Sequence, residues 1–186
     1  MKTTKFYLLA PVFLLLLIGC AKDEEELATP PVNNEEELIT TFILNLENST
    51  DSTDTHQASF RDVDGPGGDD PVLESNLVLQ RNATYNGAIS VLDESGDEIE
   101  DITIEVEEEG AEHLFCFDFD GITGVSVAYA DSDGIYGIGI LSSWIGEELG
   151  QGTVSITLKH QPGVKDGTCE PGETDIEVSF PIEIIE

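Results

Sequence analysis

The sequence has few basic residues, with 7 Lys and Arg against 39 Asp and Glu and a formal net charge of −32. Binding to phosphate groups requires a basic face, so this shortage excludes nucleic acid as a partner. An anionic membrane surface would also repel such a chain, whereas cations, basic proteins and neutral ligands remain compatible with it.

Motifs of the common enzyme classes are missing as well. The chain contains no G-x-S-x-G, H-E-x-x-H, P-loop or dinucleotide-binding fingerprint. A pair of carboxylates carries no information in a chain with 39 acids. Cysteines number only 3, and no C-x-x-C or Cys/His spacing of a zinc site is present. The sequence therefore predicts a protein that is not an enzyme.

The sequence lacks an apolar run that is long enough to cross a bilayer, which takes about 20 residues. Its longest such run is residues 6–18, preceded by Lys2 and Lys5 and followed by Gly19 and Cys20. The order of positive, apolar, small residue and cysteine is typical of an export signal. It resembles the lipobox of bacterial lipoproteins, which implies cleavage after Gly19, diacylation of Cys20 and a membrane anchor at that residue.

A strongly acidic stretch begins directly after this cysteine. Residues 21–26 read Ala-Lys-Asp-Glu-Glu-Glu, which resembles the signal that sends some lipoproteins of Gram-negative bacteria to the outer leaflet. We therefore expect an outer-membrane protein that faces the cell exterior, with an inward-facing anchor or a plain solvated tether as alternatives. The predicted organisation is a signal peptide (1–19), an acidic tether (20–34) and one β-sandwich domain (35–186).

Short apolar stretches separated by Gly and Asp turns dominate the remaining chain and predict strands. The predicted strands are 38–46, 56–63, 72–80, 83–92, 114–119, 124–130, 137–144, 152–161 and 175–185. Their spacing indicates a mostly β protein, an antiparallel β-sandwich of the Ig-like kind. Segment 101–110 fits either a strand, by alternation, or one short helix. Pro181 predicts that the last strand lies at an edge or carries a bulge.

Three D-x-D-G stretches suggest sites for a hard cation such as calcium. Alternate aspartates can direct two carboxylates at one ion, and the glycine allows a sharp turn. The residues concerned are Asp62, Asp64, Asp69, Asp70, Asp118, Asp120, Asp131 and Asp133. The first four form the densest cluster, although they do not follow the EF-hand pattern. Simple hairpin turns are the alternative, because Asp-Gly is a favoured turn pair.

Three further residue pairs leave alternatives open. Cys116 and Cys169 could form a disulfide in an exported protein or stay free. Two histidines, His113 and His160, could bind a transition metal together with a carboxylate such as Glu112. Because no short spacing links them, ordinary hydrogen-bonded histidines are the alternative. Trp144 with Tyr136 could stack on a sugar, although a lone Trp in an alternating strand is typical of a core.

Several phrases together resemble one family of small surface-type lipoproteins of Gram-negative bacteria. They are EEELITTFILNL, ATYNGAISVLDE, EEEGAEHLF, YADSDG, TVSITLKHQPGVKDG and GETDIEVSFPI, and they span 35–186. The family has no established activity, and its members often carry the label "type 1 periplasmic binding fold superfamily protein", which implies capture of a small ligand. The resemblance places its E-H, K-H-Q-P and G-E-T-D matches on 112–113, 159–162 and 172–175. It also favours a helix over 101–109.

The expected function is that of a non-catalytic binding or adhesion lipoprotein, displayed on the cell surface and stabilised by calcium. The alternatives are a structural envelope lipoprotein without a small ligand and a small-molecule capture protein. The sequence identifies no protein or glycan partner.

Overall fold

The computed structural model describes residues 37–65 and 67–186. The predicted signal peptide, Cys20 and the tether at 20–34 lie outside the described residues, so the predictions for them stay predictions. None of the helices in the described part of the chain is both long and apolar enough to cross a membrane.

Strands make up most of this part of the chain. In chain order the elements are β1 (Thr41–Asn48), β2 (Asp51–Arg61), β3 (Val72–Ser75), β4 (Leu77–Gln80), β5 (Thr84–Asp93), β6 (Glu100–Asp101), α1 (Ile102–Glu108), β7 (His113–Asp120), β8 (Val125–Tyr129), β9 (Leu141–Gly146), β10 (Gly150–His160) and β11 (Glu173–Ile185).

These strands form two sheets. The larger sheet has the order β3-β2-β1-β5-β9-β8, with β6 paired to β5, and the smaller has the order β4-β11-β10-β7. The pairs are antiparallel except for β4 with β11, which run parallel. The prediction of a mostly β, antiparallel two-sheet sandwich with one short helix is confirmed.

The core lies between the two sheets because each strand alternates apolar and polar residues. β1 buries Phe42, Leu44 and Leu46 on one face. The ring of Phe42 lies 6.0 Å from that of Phe180 on β11 and 6.3 Å from that of Phe115 on β7. These contacts join the larger sheet to the smaller one, so the period-two pattern of the sequence determines which faces meet.

The helix over 101–110 is present, and the strand alternative for this segment is wrong. Asp101 caps α1 by accepting a hydrogen bond from Thr103 N at 3.1 Å. Ile102 and Val106 are buried, while Ile104 is 57% exposed. Residues four apart lie on the same face of a helix, so Ile102 and Val106 are buried together. In a strand, Ile104 would lie on the same face as these two residues and would be buried with them.

The predicted single strand 72–80 is wrong, since Asn76 divides it between the two sheets. β3 pairs with β2 in the larger sheet, and β4 pairs with β11 in the smaller. Asn76 makes the crossing by hydrogen bonding with Gln57: its side-chain oxygen accepts from Gln57 N at 2.6 Å, and its own N–H donates to Gln57 O at 3.0 Å. β3 is exposed at Val72, Leu73 and Glu74, whereas β4 buries Leu77 and Leu79. The local sequence does not reveal this change of sheet, because Val72 and Leu73 are apolar like the residues of β4.

The prediction for Pro181 is half right. β11 lies between β4 and β10, so its placement at an edge is wrong. β4 begins to pair with β11 only at Ile182, which makes the sheet locally open beside Pro181. β11 does carry a bulge, but at Asp175, where the register skips one residue: Leu158 lies opposite Ile176 and Lys159 opposite Thr174.

Candidate functional site

The three D-x-D-G stretches lie in different parts of the fold. Asp62, Asp64, Asp69 and Asp70 belong to the loop between β2 and β3, where the Asp64 carboxylate accepts a hydrogen bond from Asp69 N at 2.7 Å. Among the described residues, none of these aspartates belongs to a group of three or more ligand atoms within 4.8 Å of one another. Calcium binding by this loop stays a prediction.

The second stretch lies on a strand rather than in a turn. Asp118 and Asp120 are exposed residues of β7. They alternate with Phe117 and Phe119, whose rings contact Trp144 in the core. The two carboxylates therefore lie on the outer face of the smaller sheet, as the alternation requires.

The carboxylates of the third stretch hold the loop between β8 and β9. Asp131 accepts hydrogen bonds from Gly139 N and Leu141 N, both at 2.7 Å. Asp133 accepts from Ile135 N at 2.7 Å and Tyr136 N at 2.8 Å, and its other oxygen lies 2.9 Å from Lys165 Nζ. These contacts account for both carboxylates as parts of the loop structure.

Stability at low pH should depend on Asp133. The hydrogen bond from Tyr136 N, opposed by burial and aided by Lys165, lowers the pKa of Asp133 from 3.8 to about 2. A lowered folded pKa stabilises the fold above the unfolded value, and that stabilisation is lost as pH falls from about 4 through about 2. We expect Asp133→Asn to cost about 1–3 kcal/mol at pH 7, with the difference from wild type shrinking below pH 4.

Urea unfolding at pH values from 2 to 7 measures this difference. The control is Asp97→Asn, a change at an exposed turn residue, which should leave the curve unchanged. If the free energy of unfolding differed between wild type and Asp133→Asn by the same amount at every pH from 2 to 7, the negative charge of Asp133 would not be the stabilising feature.

Cys116 and Cys169 form a disulfide in the structure. Cys116 lies on β7 and Cys169 on the loop between β10 and β11, 53 residues further along the chain. The side chain of Gln161 holds the same loop, since its amide donates to the carbonyl oxygens of Thr168 and Pro171, both at 2.9 Å. The bond therefore ties this loop to the edge strand of the smaller sheet.

The densest group of ionisable side chains surrounds His113 and His160. His113 begins β7 and His160 ends β10, and the antiparallel register places them directly opposite each other. Both are buried. Their rings stack with centroids 4.7 Å apart and an angle of 7° between the planes. Directly opposite residues share one face of a sheet, so the two imidazoles lie side by side at the end of the core.

Carboxylates approach these rings from three segments. Glu37, which precedes β1, places Oε1 3.0 Å from His113 Nε2. Asp175 Oδ2 lies 4.0 Å from the same nitrogen, and Glu112 Oε2 lies 3.7 Å from His160 Nε2. The side chain of Asp175 is fully buried because the bulge at this residue turns it inward.

Four possible ligand atoms in this group lie close together. One ligand atom from each of Glu37, Glu109, His113 and His160 lies within 4.8 Å of all the others. The chain also passes close by at Gly172, where a Cβ would lie 2.1 Å from His160 O at a φ of +83°. Only glycine fits there without strain. We call Glu37, Glu109, His113 and His160 the two-histidine cluster.

Burial and charge oppose each other in the pair His113–Glu37. Burial lowers the pKa of His113, but the hydrogen bond and charge of Glu37, with the charge of Asp175, outweigh it and raise that pKa above 6.5. Burial likewise raises the pKa of Glu37, but the hydrogen bond from His113 leads the effects that bring it below 4.5. Each group thus favours the charged form of the other.

Sequence reasoning found part of this cluster. It singled out His113, Glu112 and His160 but gave no reason to join them, because 47 positions separate the two histidines in the numbering. It missed Glu37, Glu109 and Asp175, which look like ordinary members of an acidic chain. One signal in the sequence could have indicated the cluster. The three short matches to the lipoprotein family, at 112–113, 159–162 and 172–175, all lie beside it in the fold.

Of the two alternatives for Trp144 and Tyr136, the sugar-stacking platform is not formed. Trp144 is fully buried, and its indole N–H donates to Ser142 Oγ at 2.8 Å. Tyr136 is 36% exposed. An aromatic ring must be exposed to stack on a sugar, so Trp144 belongs to the core, as the alternative interpretation states.

A second, partly buried polar network surrounds Asp54. Its carboxylate accepts hydrogen bonds from Tyr85 Oη at 2.7 Å and Asn48 Nδ2 at 2.9 Å, and it lies 2.8 Å from His56 Nε2. The other ring nitrogen of His56 lies 3.0 Å from Asn76 O. Each polar atom in these contacts has a partner, so the network is a structural element of the larger sheet.

A cleft of about 490 Å³ lies between α1 and the loop that joins β8 to β9. Glu107 and Glu108 contribute acidic side chains to its lining, and Ile138, Ile140 and Leu141 contribute apolar ones. Its lining contains no aromatic residue, although aromatic side chains are common in pockets for small molecules.

Compared with protein-family models, curated proteins and solved structures, the chain matches none of them.

Proposed function

We propose that this chain is a lipid-anchored lipoprotein of the outer membrane that faces the cell exterior and serves as a non-catalytic binding or adhesion module. The anchor is assigned to Cys20 from the signal pattern that precedes it. The folded part of the chain is then held away from the membrane by the acidic tether at 20–34.

The disulfide between Cys116 and Cys169 is the main structural support for this proposal. Such bonds persist in oxidising compartments outside the cytoplasm. The disulfide therefore supports export from the cytoplasm. The resemblance to a lipobox supports the proposal that the exported chain is anchored by lipid.

The character of the surface supports a binding role over a catalytic one. The outer face of the smaller sheet carries a polar ladder, in which Ser155 and Ser179 lie 2.8 Å apart and Lys159 Nζ donates to Thr174 at 3.1 Å. With a net charge of −32, a partner that offers basic groups would be attracted over distances up to a Debye length of about 8 Å at physiological salt.

The anchor and its orientation are tested in a Gram-negative host that expresses the full chain. We expect a radiolabelled fatty acid to be incorporated into the wild-type protein and not into Cys20→Ser. Protease added to intact cells should digest the wild-type protein while leaving a periplasmic marker intact. A Cys116→Ala/Cys169→Ala chain serves as the control, because it retains Cys20 and should still be labelled. Equal labelling of Cys20→Ser and wild type would refute the anchor.

Binding is tested separately with intact cells of a strain that lacks the protein. The purified, fluorescently labelled chain should bind them saturably, and an excess of unlabelled chain should displace it. A signal that grows linearly with concentration would instead favour the structural envelope lipoprotein.

A further inference from the structure

We propose that the two-histidine cluster binds one divalent transition-metal ion, Zn²⁺ by the character of its donors. The ligands are the imidazoles of His113 and His160 and the carboxylates of Glu37 and Glu109. This site goes beyond the proposed function and does not depend on it. It is also distinct from the calcium sites predicted at the D-x-D-G stretches.

The donor set matches the metal. Imidazole nitrogen is a preferred ligand of Zn²⁺, carboxylate oxygen is a common partner, and four ligands in a tetrahedral arrangement are the usual number. Calcium prefers six to eight oxygen ligands, so a site with two nitrogens discriminates against it.

The spacing of the donors is close to that of a bound state. Tetrahedral bonds of 2.0–2.1 Å place neighbouring ligand atoms about 3.3 Å apart. The four donor atoms already lie within 4.8 Å of one another, and His113 Nε2 lies 3.0 Å from Glu37 Oε1. Binding of a metal ion by all four donors therefore requires side-chain movements of about 1 Å. It does not require a change of strand register.

Two buried donor atoms in the cluster have no other role. Among the residues that the structure describes, His160 Nδ1 and Glu37 Oε2 accept or donate no hydrogen bond. The side chains of both residues are only 6% exposed. A buried polar atom without a partner is unfavourable, and coordination of a metal ion would give a partner to each atom that it binds.

The remaining contacts of the histidines resemble the support that metal ligands receive. His113 Nδ1 lies 3.3 Å from Glu109 O, and His160 Nε2 faces the Glu112 carboxylate at 3.7 Å. Metal-ligating histidines usually direct their second ring nitrogen at a carbonyl or carboxylate, which fixes the tautomer and the ring orientation. In this arrangement His113 Nε2 and His160 Nδ1 are the nitrogens left for the ion.

The negative charge around the cluster favours the binding of a cation. Four carboxylates surround the two rings, those of Glu37, Glu109, Glu112 and Asp175. The nearby Lys165 is already engaged by Asp133 and by Gly110 O, at 2.9 and 2.6 Å. Glu109 is exposed at the end of α1, so an ion can enter from solvent at that side.

A metal at this place would join distant parts of the chain. Its ligands come from the segment before β1, the end of α1, the start of β7 and the end of β10. The first of these lies near the start of the predicted β-sandwich domain. The ion would thus hold this segment against the end of α1 and the smaller sheet.

The test uses the full chain, purified in detergent, stripped with a chelator and then titrated. Zinc is added in the presence of a chromophoric competitor and a constant excess of Ca²⁺ and Mg²⁺, which occupy ordinary surface carboxylates. We expect one Zn²⁺ per chain. Cobalt(II) added in its place should give the intense visible bands of a tetrahedral site, a readout that surface binding does not produce.

The decisive variants are Glu109→Gln and Glu37→Gln, each of which should weaken zinc binding at least tenfold. Glu109 is exposed, so its substitution carries little risk to folding, and circular dichroism checks both variants. The matched control is Glu108→Gln, an exposed neighbour outside the cluster, which should bind like wild type. No stoichiometric zinc in the wild-type chain, or equal affinity in Glu109→Gln, Glu37→Gln and Glu108→Gln, would overturn the proposal.

Discussion

Replacing Cys116 and Cys169 together by alanine is expected to lower the free energy of unfolding by about 4 kcal/mol. The bond closes a loop of 53 residues, and the entropy that such a link removes from the unfolded chain grows with the logarithm of loop length. In addition, it ties the loop between β10 and β11 to β7, an edge strand with only one neighbour in its sheet.

Thermal unfolding with and without reductant measures this effect. For a domain of this size, 4 kcal/mol corresponds to a fall in Tm of roughly 10 °C. Reduced wild type should melt close to the oxidised double variant, and reductant should not affect the variant itself. A double variant that melts within about 2 °C of oxidised wild type would show that the bond contributes little to stability.

Replacing Trp144 by alanine is expected to cost about 3–5 kcal/mol, as for other large-to-small changes in a core. Trp144 lies on β9 in the larger sheet and is fully buried. Its ring meets Phe117 and Phe119 of the smaller sheet edge to face, with centroids 5.2 and 6.0 Å apart. The substitution therefore opens a cavity between the two sheets and removes two aromatic pairs.

Urea unfolding followed by far-ultraviolet circular dichroism measures the loss, because the variant has no tryptophan left to observe. Trp144→Phe is the matched control and should cost clearly less, since it keeps an aromatic ring in place. Tyr136→Ala, at a partly exposed ring, should stay within about 0.5 kcal/mol of wild type. The chain has one Trp, so wild-type fluorescence with the emission of a solvent-exposed indole would contradict this packing.

Disulfide and tryptophan differ in how far the sequence could foresee them. Cys116 and Cys169 were candidates for pairing, yet nothing local required it, because both a bonded and a free state fit their surroundings in the sequence. Trp144 was expected in the core because it lies in an alternating strand. The first depends on contacts between distant segments, whereas the second follows from a pattern of neighbouring residues.

The mostly β class of the fold could be predicted from the sequence. Short apolar stretches between turn residues identified most strands, and Asp101 with the spacing of Ile102 and Val106 allowed for the helix. The shortage of Lys and Arg predicted that nucleic acid is not a partner, and this stays a prediction. These properties are local or compositional, so they can be read without knowing which strands become neighbours.

The pairing of the strands, in contrast, depends on contacts between distant segments. The register of β7 with β10 put His113 opposite His160, and the bulge in β11 turned Asp175 toward them. Asn76 sent one apolar stretch into two sheets. Strand pairing joins residues far apart in the chain, and a shift of one residue would move every side chain to the opposite face. The two-histidine cluster exists because of that register, which no local pattern in the sequence encodes.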